Sequence, residues 1–253
     1  MNRYLQMRLA NKGKGDFRSE DNTIWIYDTI ASDDMEAQWW GGISPSAFIS
    51  ALAKTTGPVT LRINSPGGSV FGAQAMVAAM RAHPHPITAK IDSLAASAAS
   101  VIAANCAECV MVPGSMQMIH RAWGFAIGNC EDMRDTAGLL EKIDGLIADT
   151  YTSRAKGQHS REDFDAMMAA ETWFTPEEAV SAGLADRVED ANTQRPANRW
   201  DLSAFAAAPK MPEPENNNDT ADEAAEDHAE AAAELARARR VARLNARILT
   251  SPI

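Results

Sequence analysis

Residues 87–104 read ITAKIDSLAASAASVIAA. The stretch opens with Ile87, Thr88 and Ile91 in a β-prone run and then becomes a dense series of alanines and serines. Alanine is the best helix former, and small side chains let a helix lie close against a sheet. The stretch therefore predicts a strand passing directly into a helix, with Ser97 at the junction. Backbone N–H groups at a helix N-terminus lack intrahelical partners and can bind a developing oxyanion. Such a junction suits a hydroxyl nucleophile. A serine that simply packs in an α/β core is the alternative on this stretch alone.

Two further stretches frame it. Upstream, residues 63–72 read INSPGGSVFG after the β-type run Val59–Ile63. Pro66 fixes its own φ, and Gly67 and Gly68 permit positive φ and close backbone approach, so the turn can aim an N–H into a cleft. Downstream, residues 116–123 read MQMIHRAW and place His120 directly after an apolar strand. An activated serine needs a base, and histidine titrates near neutral pH. An ordinary tight turn and a structural histidine are the bland readings of each motif alone.

INSPGG, LAASAAS and MIH, in this order and spacing, resemble the proteolytic subunit of the Clp protease (ClpP). The likeness continues through ETWFTPEEAVSAGLAD and covers roughly residues 24–188. It is closer still to the ClpP-like head maturation (prohead) proteases of tailed phages and prophages, carried by IWIYDTI, GGISPSAF, RINSPGGSVFGA, AASAASVIA and ETWFTPEEA.

Composition is compatible with this and excludes other classes. The 253 residues are 45% hydrophobic, enough for one sizeable core plus extensions. A formal net charge of −10 argues against general binding to nucleic acid or to an anionic membrane surface. No apolar run approaches the roughly 20 residues of a membrane helix, and residues 1–16 lack the apolar core of a secretory signal. Three cysteines, an odd number, point to a reducing compartment. Cys106 and Cys109 form a C-x-x-C pair with no second pair, so packing is expected and no metal or other cofactor. His83 and His85 alternate with prolines and read as a surface turn.

Along the chain, residues 1–22 read as a flexible arm, 23–189 as the protease domain, 190–218 as a linker, and 219–253 as a charged helical tail with acids first and arginines last. Trp200, Leu202 and Phe205 interrupt the linker with side chains able to dock. ASDDMEAQWWGG reads as a loop. Ser44 and Pro45 begin a helix, as do Asn129, Ser160 with Asp163, and Thr175 with Pro176 and Glu178. Met133, Ala137, Leu140, Ile143, Ile147 and Tyr151 recur at helical spacing. Alternating strands and helices indicate an α/β fold with parallel βαβ units. The resemblance makes this the ClpP/crotonase-type fold of stacked βαβ repeats with surrounding helices.

The resemblance also implies roles. Ser97 is the nucleophile and His120 its base, with Ser93 and Ser100 as competitors by position. Glu171 falls where the family has aspartate, with Asp163 and Asp165 as fallbacks. Gly68 and Ala98 supply the oxyanion-hole N–H groups. An extended peptide substrate pairs with Gly67, Ser69, Val70 and Phe71 on one side and Trp123, Gly124 and Phe125 on the other. The long helix after Asn129 projects as a handle between two rings, so a ring-shaped homo-oligomer is implied. The expected partners are polypeptide substrates, namely capsid, scaffold or portal proteins, in the bacterial or infected-host cytoplasm or inside the procapsid. No Walker sequence occurs, and no family-type axial-loop segment is found, which leaves an ATPase unfoldase partner open. A housekeeping Clp-type subunit working with an ATPase, a crotonase-type acyl-CoA enzyme and a catalytically inactive assembly scaffold are the alternatives. Residues from about 190 onward are expected to be dispensable for peptidase chemistry but needed for recruitment into an assembling head, the tail contacting scaffold or capsid proteins.

Overall fold

The fold is described here from a computed structural model for residues 3–189 and 200–209. The first half runs α1 (Arg3–Ala10), β1 (Asp16–Glu20), β2 (Thr23–Tyr27), α2 (Asp34–Trp40), α3 (Pro45–Leu52), β3 (Val59–Ser65), α4 (Val70–Ala82) and β4 (Ile87–Ala96). The second runs α5 (Ala98–Ala104), β5 (Glu108–Met111), β6 (Met116–Ile119), α6 (Cys130–Ala155), α7 (Arg161–Ala169), β7 (Thr172–Phe174), α8 (Pro176–Ser181) and β8 (Arg187–Val188). The strand-to-helix switch read at Ser97 is the β4–α5 junction.

Strands β2, β3, β4, β5 and β8 lie side by side in parallel, and β1 adds an antiparallel edge to β2. This is the α/β architecture expected from the alternating elements. β4 is the pivot because it is ten residues long. Its first half, Ile87–Ile91, pairs with β3 and β5; at its last residues, Leu94–Ala96, β6 takes the place of β5, while Ala95 still pairs with Ser65 of β3. β7 then adds antiparallel to β6.

The central parallel strands alternate along their first halves, burying one face fully and leaving Thr60, Arg62, Thr88 and Lys90 half-buried on the other. Ile24, Ile26, Leu61, Ile63, Ala89 and Ile91 are buried in one core with Phe48, Met76, Val77 and Ile102. A second, smaller cluster joins Met7, Leu94, Ala96, Met118, Ala204 and Phe205. It draws on both ends of the described chain.

Three regions differ from the sequence reading. Residues 3–20, expected as a flexible arm, form α1 and β1. Arg8 fixes this segment: it is 2% exposed, donates to Thr29 Oγ1 and the Gly41 carbonyl, and faces Glu36 at 3.5 Å. Burying a guanidinium is tolerable only with such partners, so α1 is tied to α2 by necessity. Residues 31–42, expected as a loop, contain α2, whose N-cap Asp33 accepts from the Glu36 N–H. Trp39 on α2 is 67% exposed.

The third difference is the expected linker. Residues 200–209 dock on the domain. Trp200 Nε1 donates to Asn64 Oδ1 at 2.8 Å, and Asn11 bonds the Asp201 backbone through both ends of its amide, at 2.7 and 2.9 Å. Residues 190–199 and 210–218, and the whole expected tail from 219 to 253, lie outside the described residues.

In α6 the helical stripe divides. Ile143, Ile147 and Tyr151 are buried, whereas Met133, Leu139 and Leu146 are 40%, 49% and 62% exposed. Ile143, Ile147 and Tyr151 pack on the core, and Met133, Leu139 and Leu146 leave apolar side chains in solvent.

Candidate active site

Strand pairing brings three residues to one end of the sheet. β4 and β6 are parallel with Ala96 opposite Met118, so Ser97 and His120 leave neighbouring strands at the same end, and the turn of Ser97 out of strand geometry at φ 54° brings it to the imidazole. β6 and β7 are antiparallel with Ile119 opposite Thr172, so Glu171 enters β7 beside the residue that leaves β6. The three side chains come from segments far apart in sequence and meet at strand ends.

Ser97 has φ 54° and ψ −125°, a conformation that costs a non-glycine residue strain and that the surroundings must enforce. Its N–H donates to the Met118 carbonyl at 2.9 Å. Gly67, at φ 90°, passes so close that a Cβ there would stand 2.7 Å from Ser97 Cβ. Gly68, at φ 149°, would place a Cβ 2.1 Å from the Ile30 carbonyl oxygen. No side chain fits at either glycine, which explains the PGG turn. As the first residue of α5, Ala98 has an N–H without an intrahelical acceptor.

Ser97 Oγ lies 2.7 Å from His120 Nε2. Ser100 is engaged elsewhere: its hydroxyl donates to the Ser97 carbonyl at 2.6 Å and meets the Tyr151 hydroxyl at 2.8 Å. Ser93 is half-buried within β4 and does not line the cleft described below.

Burial pushes the His120 imidazole down from 6.5 to about 4; the nearby Glu171 carboxylate opposes this, and Arg3 adds to it. The ring is therefore neutral near pH 7, and a neutral Nε2 can accept the Ser97 proton. Trp123 contacts the imidazole edge-on at 4.6 Å between centroids, and Phe205 does so at 5.7 Å.

Glu171 is buried and stands at φ 53°. Its carboxylate accepts from the Ala206 N–H at 3.0 Å and the Ala207 N–H at 2.6 Å, while it acts on His120 electrostatically. Asp163 is used differently: it closes the capping box of α7 by accepting from the Ser160 N–H. Asp165 lies within α7, where it acts on Asp144.

The Ser97–His120 pair opens on a cleft of about 430 Å³. Gly68, Ser69, Val70, Phe71, Ala98, Trp123, Gly124 and Phe125 all line it; Gly67 does not. One expectation changes. Ser69 caps α4 and Val70 is its first residue, so Val70 and Phe71 are helical and cannot offer a strand edge. Extended backbone on that side ends at Ser69. On the other side, residues 123–127 have no regular structure, and Phe125 and Ile127 are 66% and 79% exposed. An exposed Phe71 stands across from them as a further apolar contact.

Sequence reasoning missed Tyr4, Leu5, Met7 and Phe205 as lining residues. The apolar signal of Trp200, Leu202 and Phe205 in a polar stretch was visible; where it docks was not. Among the described residues, no group of three or more His, Cys, Asp or Glu side chains is arranged to hold a metal. No described helix is long and apolar enough to cross a membrane.

Comparison with known proteins gives a consistent result. The family described as Clp protease matches residues 22–192. The ATP-dependent Clp protease proteolytic subunit of Bacteroides thetaiotaomicron is 33% identical over 135 residues, covering 51% of this chain and 59% of that protein. Proteolytic subunit 1 of Chlamydia abortus is 30% identical over 167 residues, covering 64% of this chain and 81% of that protein. Subunit 1 of Leifsonia xyli is 24% identical over 174 residues, covering 68% and 85%.

Proposed function

The chain belongs to the Clp protease family, whose members are serine peptidases, and from that premise we propose that it is a serine endopeptidase acting through Ser97, His120 and Glu171. The observation that carries the reading is the 2.7 Å contact between Ser97 Oγ and a buried imidazole on a cleft wide enough for a peptide. Ser97 Oγ attacks the scissile carbonyl carbon while its proton passes to His120 Nε2. The carbonyl π electrons move onto oxygen, and the N–H groups of Gly68 and Ala98 receive that oxyanion. Collapse breaks the C–N bond, and His120 returns the proton to the leaving amine. Water then repeats the sequence on the acyl-enzyme and frees Ser97. Glu171 stabilises the transient imidazolium by its charge. The extended backbone through Ser69 and the irregular segment 123–127 take the substrate chain, with Phe71 and Phe125 offering apolar contact.

The biological substrate class we infer is the head and scaffold proteins of an assembling phage, supported by the likeness of the IWIYDTI, RINSPGGSVFGA and ETWFTPEEA stretches to prohead proteases. The exposed apolar side chains of α6 support a homo-oligomeric ring. A second reading, a Clp-type subunit fed by an ATPase, is favoured by the ATP-dependent relatives named above.

A fluorophosphonate probe tests the chemistry. It should label one serine, Ser97, and labelling should vanish in Ser97→Ala; no labelling of the wild-type chain removes the peptidase reading. Incubation with unfolded scaffold protein, against a folded tagged substrate plus a Clp ATPase and ATP, separates the two roles. Cleavage only in the second mixture favours the housekeeping reading.

A further inference from the structure

We propose that residues 205–207 are positioning residues of this active site, the Ala206 and Ala207 N–H groups holding the Glu171 carboxylate and the Phe205 ring holding the His120 imidazole. The inference rests on the serine-peptidase reading above and extends it to a segment whose sequence reads as linker.

Glutamate has one more methylene than the aspartate expected at this place, so its carboxylate needs more restraint to stay beside the imidazole. The restraint comes from 35 and 36 residues downstream, one N–H to each oxygen. Hydrogen bonds from N–H to a carboxylate are charge-assisted and short, as the 2.6 Å Ala207 contact is. The donors are themselves fixed. Ala204 and Phe205 are buried with Met7, Leu94, Ala96 and Met118, and the segment is pinned at its other end through Asn11 and Asn64. Phe205 also stacks against Trp123 and Trp173, at 5.1 and 5.9 Å between centroids, so the ring that touches His120 has little freedom.

The same contacts could in principle restrain the enzyme by competing for Glu171. Lone-pair counting leaves room for both groups. Each carboxylate oxygen has two acceptor sites, so two N–H donors leave sites open toward the imidazole. The electrostatic influence of Glu171 on His120 is present with the segment docked. The segment is taken as a support of the carboxylate, and the sign of the kcat change separates support from restraint.

The test uses the full chain. Ala206→Pro and Ala207→Pro each delete one N–H donor, and each is made alone and together with Glu171→Gln. On an unstructured fluorogenic peptide, either proline should lower kcat about 10- to 100-fold with little change in KM, the size of a small misplacement of a catalytic group. In the Glu171→Gln background the same proline should cost nothing further, because the effect passes through that carboxylate. Ser203→Ala, which loses side-chain contacts with Gln6 and Asp201 but neither N–H donor to Glu171, should match the wild type. Equal losses in both backgrounds, an unchanged kcat, or a rise in kcat would each overturn the proposal; a rise would mean the segment is a restraint. Amide hydrogen exchange keeps the test open if a proline variant does not fold. The Ala206 and Ala207 amides should exchange slowly in the wild-type chain and faster in Glu171→Ala, and fast exchange in the wild type overturns the contact. A wild-type chain that neither labels with fluorophosphonate nor cleaves peptide sinks the peptidase reading instead, while exchange still reports on the contact.

Discussion

Ser97 and Glu171 both stand at positive φ, 54° and 53°, at opposite ends of the same constellation, yet they are held in unlike ways. Ser97 is fixed by its own neighbourhood. The strand before it pairs with β6, the helix after it begins at once, and the Gly67 backbone presses on its Cβ. Glu171 directly precedes β7 where that strand pairs with the end of β6, but its side chain is held by residues from the far end of the described chain. A nucleophile built by secondary structure survives changes elsewhere in the molecule. A carboxylate built by docking is as stable as the dock.

The largest expected effect lies on the Ser97 side. Ser97→Ala should lose on the order of a million-fold in kcat, with a melting temperature close to wild type, since only one hydroxyl is deleted. Retained turnover would return the nucleophile to Ser93, because Ser100 is committed to the Ser97 carbonyl and Tyr151. On the other side, Glu171→Gln should lose about a thousand-fold, through a poorly stabilised imidazolium. If Asp165→Asn or Asp163→Asn gives the larger loss, the docked carboxylate is not the third member. Asp163→Asn should instead lower the melting temperature slightly through the α7 capping box and leave kcat unchanged.

This contrast also explains what was legible in the sequence. The β4–α5 switch, the PGG turn and the Asn129, Ser160 and Thr175 caps are local, so residue type and spacing announce them. The α/β class follows from those same local signals, whereas the pairing of Ser97 with His120 is implied by the family resemblance and is made by the non-local β4–β6 contact. The segment 200–209 contains no regular element, and a stretch with linker composition gave no sign that two of its N–H groups face a buried carboxylate. α1 was missed for a related reason. Its polar sequence suggests an arm, and only the burial of Arg8 between Thr29, Gly41 and Glu36 shows why it is ordered. The substrate-strand expectation failed at Val70 because the Ser69 cap starts α4 one residue sooner than a strand edge would need.

The pH profile sharpens the comparison at intermediate cost. His120 must be neutral to accept the serine proton, and burial sets its value at about 4. The acid limb of kcat/KM should therefore lie well below the ordinary histidine value of about 6.5. Phe205 contributes to that burial, so Phe205→Ala should move the limb upward, toward 6.5, before any change in KM. The groups acting on the imidazole are Glu171, which raises its value, and Arg3, which lowers it. Stability follows the same sign. Between about 6.5 and 4 the unfolded chain binds a proton that the folded chain refuses, so the melting temperature should fall as pH falls through that window. A limb that stays at the same pH in Phe205→Ala would show that the ring does not shield the histidine.

The smallest effect is expected behind Ser97, and it asks whether even the local side is wholly local. Ser100 is fully buried one turn into α5, with its hydroxyl donated to the Ser97 carbonyl and shared with Tyr151 of α6. Tyr151 is itself buried, and burial raises its phenol well above the ordinary value. Ser100→Ala leaves the Tyr151 hydroxyl without its partner in an apolar setting, a penalty of about 1–3 kcal/mol. The strained turn at Ser97 keeps its other supports, namely the Met118 carbonyl and the Gly67 contact. Ser100→Ala should therefore lower thermal stability clearly while reducing kcat by no more than about fivefold, or about 1 kcal/mol. Tyr151→Phe removes the other hydroxyl of the pair, so the double variant should recover part of the loss. A thousand-fold fall in kcat for Ser100→Ala would mean that α6 positions the nucleophile as the 200–209 segment positions the carboxylate, and the distinction between the two sides of the site would fall.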